Sequence, residues 1–177
     1  AWPEAPTVLL REHYRCHPKI INFCNQKFYG GKLIVMTEDH EEPDVLTMYR
    51  TAPGNHARGH LNQRQIDVIR QEVLPSLAIQ GYGSIGIITP YRDQVAAIQT
   101  QLGKDLEVAT VHKFQGREKD AIVLTSVDNV ITDFVDDPRM LNVAVSRAVK
   151  SVTVITSQDP QNDQTNYGDL ARYIEYN

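Results

Sequence analysis

The chain has 177 residues, 18 basic and 22 acidic side chains, a net charge of −4 and two cysteines. That length supports one domain with a sizeable hydrophobic core and makes a disulfide staple unnecessary. The acidic balance excludes a surface that grips nucleic acid everywhere and restricts any such contact to a local basic groove. No apolar run approaches the roughly 18 residues of a membrane span, and no signal-peptide pattern opens the chain. The opening AWPEAP reads as a cut inside a longer protein.

In chain order, the residue before Pro18 is pushed out of the helical region, so a helix is expected from Pro18, with Ile20, Phe23, Cys24 and Phe28 on its apolar face and Gly30-Gly31 ending it. Cys16 and Cys24 flank and enter this helix, where eight residues span about 12 Å, too far for a disulfide. Free thiols fit a cytosolic or nuclear setting, and a cytoplasmic location is expected. The acidic runs Glu38 to Glu42 and Asp133 to Asp137 read as solvated loops, because neither has the ligand spacing of a calcium loop.

Val45 to Tyr49 predicts a strand and Thr51 to His60 a loop. Ile66, Ile69, Val73 and Leu77 predict a helix that Asn62 can cap and Pro75 would kink or stop. A buried strand over 83–89 ends at Pro90-Tyr91. A helix from Asp93 to Leu102 closes at Gly103. From Val108 to Thr156 the order is strand, polar turn, strand, loop, helix, strand, and the runs Ala121 to Leu124 and Val152 to Ile155 have the continuous apolar character of buried parallel strands. A polar loop over 157–165 and a short helix from Asp169 to Tyr176 complete the chain. Strands alternating with helices predict a parallel sheet in an α/β domain. Ligands in such sheets collect at the carboxyl ends of the strands, so Gln115, Gly116, Arg117, Glu118 and Arg147, at the junctions, are expected there.

No phosphate-loop motif is present: Gly31-Lys32 leads into Leu33, and Gly103-Lys104 into Asp105. No strand ends in an Asp-Glu pair able to hold magnesium, and no carboxylate cluster has the spacing of a nuclease. A self-contained nucleotide hydrolase is therefore not expected. Four blocks, LREHYRCHPKI, GIITPYRDQ, TVHKFQGREKD and LNVAVSRA, in that order, resemble the second motor domain of superfamily 1 helicases, in the branch of the RNA helicase of nonsense-mediated decay and its bacterial relatives.

The resemblance implies a three-layer RecA-like α/β/α fold over residues 1–177, with a mainly parallel sheet and no phosphate loop of its own. It also implies that ATP with Mg2+ lies in a cleft against an amino-terminal RecA-like domain that supplies the magnesium ligands. By it, Arg15 and Arg147 reach the γ-phosphate, where planar guanidinium donors suit a transferring phosphoryl group. Glu118 accepts from the ribose, Gly116 lets backbone come close, and Tyr14 lies against the adenine. Thr89, Pro90, Tyr91, Thr110, Val111 and His112 match positions that meet the backbone of a single strand, without reading sequence.

On a helix from Pro138, Leu141, Ala144, Val145 and Ala148 form the buried stripe, which leaves Arg147 accessible. The family usually has arginine at Met140, so a charge is expected to be missing from the phosphate-facing side. Ser146 keeps the hydroxyl of the family's threonine, and Gln65 stands where glutamate is common. His13 and His17 are expected to be structural hydrogen-bonders and not metal ligands. The implied function is the carboxyl-terminal motor half of a helicase or translocase on single-stranded nucleic acid, DNA favoured over RNA, inactive as an isolated piece. The alternative is a non-catalytic RecA-like module for nucleic-acid or protein contacts.

Overall fold

A computed structural model describes residues 12–54, 57–114 and 117–177. Its strands are β1 (Glu12–His13), β2 (Ile34–Val35), β3 (Leu46–Thr51), β4 (Ala57–Arg58), β5 (Leu61–Asn62), β6 (Ile85–Ile88), β7 (Glu107–Ala109), β8 (Lys119–Thr125) and β9 (Ala148–Ser157). The helices are α1 (Pro18–Phe28), α2 (Gln63–Val68), α3 (Leu74–Gln80), α4 (Arg92–Leu102), α5 (Pro138–Ser146) and α6 (Asn166–Tyr176). Five strands form one wholly parallel sheet in the order β3-β9-β8-β6-β7.

Alternation along the central strands sorts the core into two layers. Ile122 and Leu124 of β8 and Val152 and Val154 of β9 face Ile20, Phe23 and Cys24 of α1, Leu141 and Val145 of α5 and Leu170 of α6. Val123 of β8, Ile155 of β9 and Ile87 of β6 face Ile66, Ile69, Val73, Leu77 and Ile98 on the other side. Helices on both faces of a parallel sheet make the three-layer α/β/α arrangement expected from the sequence.

Most local signals act as their chemistry dictates. Pro18 opens α1, and the left-handed residues Gly30 and Gly31 follow its end. Asn62 caps α2 by accepting from the Gln65 backbone N–H at 3.1 Å. Cys16 and Cys24 are both buried free thiols. Four expectations need correction. The segment over 51–60 contains a short strand, β4, paired with β5. Pro75 does not stop its helix: a π-helical turn, Ile69–Val73, precedes it and absorbs the register change that a residue without an amide N–H requires. Ala148 is buried as the first residue of β9, paired with Lys119, and not as part of the α5 stripe. The last helix starts at Asn166, three residues earlier than expected, after a 3-10 turn.

One close approach links two motifs. A Cβ on Gly86 would lie 2.7 Å from the Phe114 ring, so only glycine lets Phe114 seat fully buried against β6. Phe114 ends the 3-10 turn Val111–Phe114, and its burial anchors the segment that presents Val111 and His112.

Candidate nucleotide and nucleic-acid sites at opposite ends of the sheet

The predicted site residues separate into two groups. Glu118 and Arg147 immediately precede β8 and β9, so they lie at the amino ends of the strands and not at the carboxyl ends expected from the general rule. The reason is polarity. In a parallel sheet α5 must run back against the strands, which carries its last turn to the edge where β9 begins.

Arg15 joins them there through backbone acceptors. The Ser146 carbonyl, at the negative end of α5, accepts from Arg15 Nη2 at 2.9 Å and from Cys16 Sγ at 3.2 Å. The His17 amide donates to Val149 O at 2.8 Å, and the Lys119 amide donates to Arg147 O at 3.0 Å. Arg15 Nε stands 3.1 Å from Glu118 Oε2 in a surface ion pair, without making a hydrogen bond. Arg147 Nε is buried without a hydrogen-bond partner, and its side chain makes no ion pair among the described residues. Burial pushes the Cys16 thiol up, and Arg15, Glu118 and Arg147 all act on it electrostatically. Arg117 and Lys119 both pair with Glu107, so they do not occupy Glu118.

Tyr14 is 66% exposed and donates its hydroxyl to Glu12, leaving the ring open to stack. Gly116 and Gln115 lie outside the described residues. Burial and then Arg15 push the His13 imidazole below its ordinary value, and its Nε2 accepts from the Cys16 amide at 2.8 Å. His17 stands with Asp39 and Glu42 in a cluster of metal-ligand type. Its Nδ1 accepts from the Lys19 amide at 3.1 Å, which puts the ring proton on Nε2, where it is donated to Glu42 at 2.8 Å. In this tautomer the ring caps α1 and ties it to the loop that carries Glu42.

At the carboxyl ends of β6 and β7, Thr89, Pro90, Thr110, Val111 and His112 line one narrow cleft of about 30 Å³. Thr89 is fully buried, and its Oγ1 has no hydrogen-bond partner. His112 is exposed and makes no hydrogen bond among the described residues. Tyr91 stands apart from this lining. His60 stacks on its ring at 4.1 Å and Phe134 at 5.8 Å, while its hydroxyl donates to Asp128 at 2.8 Å. Burial and then Asp128 push its phenol up to about 12. His60 and Phe134 escaped notice in the sequence because they sit in loops; a lone aromatic within the acidic run Asp133 to Asp137 was the available signal.

A buried amide network braces this end. Gln65, fully buried, accepts from Thr125 Oγ1 at 2.5 Å and from the Val127 amide at 3.0 Å. Asn62 Nδ2 donates to Val127 O at 2.8 Å, and Gln94 Oε1 accepts from the Asn62 amide at 2.9 Å. Val127 is held at φ 67°, a region that a β-branched residue avoids, immediately before Asp128. Gln65 thus fixes the backbone that positions Asp128 against Tyr91.

The family model described as "AAA domain" (AAA_12) matches residues 2–159. The chain belongs to this family of superfamily 1 helicases. Among curated relatives, it is 30% identical over 169 residues to the mouse 5′-3′ DNA helicase ZGRF1, covering 85% of this chain and 9% of that protein. It is 33% identical over 179 residues to the ATP-dependent helicase upf1 of Schizosaccharomyces pombe, covering 80% of this chain and 19% of the relative. The chain therefore spans less than a fifth of the length of these two relatives. In fold it is similar to the C-terminal domain of a possible DNA helicase from Lactobacillus plantarum, with a TM-score of 0.57 at 13% identity, covering 88% of this chain and 95% of that one.

One reading of this helicase domain needs revision. Met140 lines the cleft of Thr89 and His112, in the first turn of α5, whereas Arg147 follows the last turn. Seven residues of helix separate them by about 10 Å along the axis. Met140 therefore stands at the end of α5 away from Arg147, among the residues of that cleft. No described helix is long and apolar enough to cross a membrane.

Proposed function

We propose that this chain is the carboxyl-terminal motor half of an ATP-dependent helicase or translocase on single-stranded nucleic acid, with DNA favoured over RNA. Arg15 and Arg147 act as arginine fingers on a nucleotide held mainly by an amino-terminal RecA-like domain. The observation that carries this reading is the junction before β8 and β9. There two guanidinium groups lie, each with a buried Nε that makes no hydrogen bond, beside a carboxylate that can exchange Arg15 for a sugar hydroxyl. Bound ATP with Mg2+ supplies the γ-phosphoryl group and its charge. Arg15 and Arg147 meet that charge with forked donors, Glu118 accepts from the ribose, and the exposed Tyr14 ring covers the adenine. Attraction between the fingers and the phosphates closes the two domains, and hydrolysis lets them part. The residues around Thr89 and His112, at the other end of the sheet, hold the strand while this happens.

The test is nucleotide turnover by the full-length protein with single-stranded DNA, with RNA and with neither. Stimulation by a single strand, stronger with DNA, is expected, and the 177-residue chain alone should show no turnover. Robust turnover by the isolated chain contradicts the proposal.

A further inference from the structure

The aromatic stack beside the strand-side cleft has no part in the reading so far. Phe134 is 59% exposed, a large apolar ring facing water within the acidic run Asp133 to Asp137. An exposed phenylalanine is ordinarily mobile, but this ring is fixed. It stacks on Tyr91, which is held by His60 on its ring and by Asp128 at its hydroxyl. Asp128 follows Val127, whose strained backbone is clamped by Gln65 and Asn62. The chain thus builds a buried support beneath an open aromatic face. Asp133, Asp136 and Asp137 flank the ring along its own loop, and Arg92 and Lys113, just past the carboxyl ends of β6 and β7, make no ion pair among the described residues. The unpartnered Thr89 hydroxyl lines the same cleft as Phe134.

We infer that Phe134 is a base-stacking platform, whose free face receives one nucleobase of the single strand while Arg92, Lys113 and the cleft residues meet its backbone. The inference rests on the strand-binding reading given above and adds a residue to it. Stacking on an aromatic face is tolerant of sequence, since every base has a π-face, and therefore suits a motor that moves along any strand. A preorganised ring loses little freedom when a base lands on it, so the contact is productive even though it is single.

The test compares the full-length protein with its Phe134→Ala and Phe134→Trp variants, by fluorescence anisotropy, on a labelled oligothymidine and on an abasic strand of equal length. Phe134→Ala should weaken binding of oligothymidine about five- to a hundredfold and leave the abasic strand unchanged, while Phe134→Trp should restore binding. A loss shared equally by both strands identifies Phe134 as packing or as a contact to the neighbouring domain, and overturns the inference while strand binding stands. No loss on either strand overturns it in the same way. Failure of the unaltered protein to bind any strand overturns the strand-binding reading and the platform with it.

Discussion

Arg15 Nε and Glu118 Oε2 stand 3.1 Å apart, so two residues assigned to the same nucleotide are already paired with each other. Both side chains are more than a third exposed, at 37% and 52%. A pair so open to solvent contributes about 0–1 kcal/mol. The pair is thus weak enough for a nucleotide to replace, and it holds Arg15 near its working position until then.

Glu118→Gln should shift the melting temperature by no more than about 4 °C while weakening nucleotide affinity in the full-length protein. Thermal melting and nucleotide titration separate the two effects. A large loss of stability with unchanged nucleotide affinity would make Glu118 a structural residue.

Met140→Arg places a cation in the cleft of Thr89 and His112. The expected result is tighter single-strand binding, with a salt dependence steeper by about one released counterion and no change in the KM for ATP. Measuring strand affinity across a salt series, together with ATP kinetics, tests this. An altered KM with constant strand affinity would return Met140 to the nucleotide side.

Gln65→Leu removes the acceptor that satisfies both Thr125 Oγ1 and the Val127 amide in a fully buried site. Leaving those donors unpaired costs about 2 kcal/mol or more, which lowers the melting temperature by roughly 4–8 °C. The Asp128 to Tyr91 contact should loosen with it. An unchanged melting temperature would show that the network does not brace the strand side.

The carboxyl of Glu42 is lowered to about 2, first by hydrogen bonding to its own backbone amide and then by His17. Because the folded value lies below the ordinary 4.5, the ionised group stabilises the fold above that pH, and the contribution is lost as pH falls from about 4.5 towards about 2. Glu42→Gln should lower the melting temperature at neutral pH and flatten its pH dependence in that window, so that the two proteins converge as pH approaches about 2. Equal slopes for the two proteins would contradict this.

Much of this organisation was legible in the residues. Pro18, Asn62 and Gly103 mark helix boundaries by their own backbone chemistry, and the apolar runs of β8 and β9 announce buried parallel strands. The assignment of ends went astray because a general rule about carboxyl ends was applied to Glu118 and Arg147, although each precedes its strand. The platform under Phe134 was not legible: His60, Tyr91 and Phe134 are far apart in sequence and meet only after the sheet has assembled.

The most direct test of the account is turnover and strand affinity measured together on the full-length protein carrying Arg15→Ala or Arg147→Ala. A guanidinium acting on the transferring phosphoryl group is worth about 10³-fold or more in rate. The account predicts a loss of that order for Arg147→Ala, a comparable loss for Arg15→Ala, and unchanged affinity for the single strand, since both arginines lie at the end of the sheet away from it. Wild-type turnover in both variants, or a loss of strand affinity in place of turnover, would contradict it.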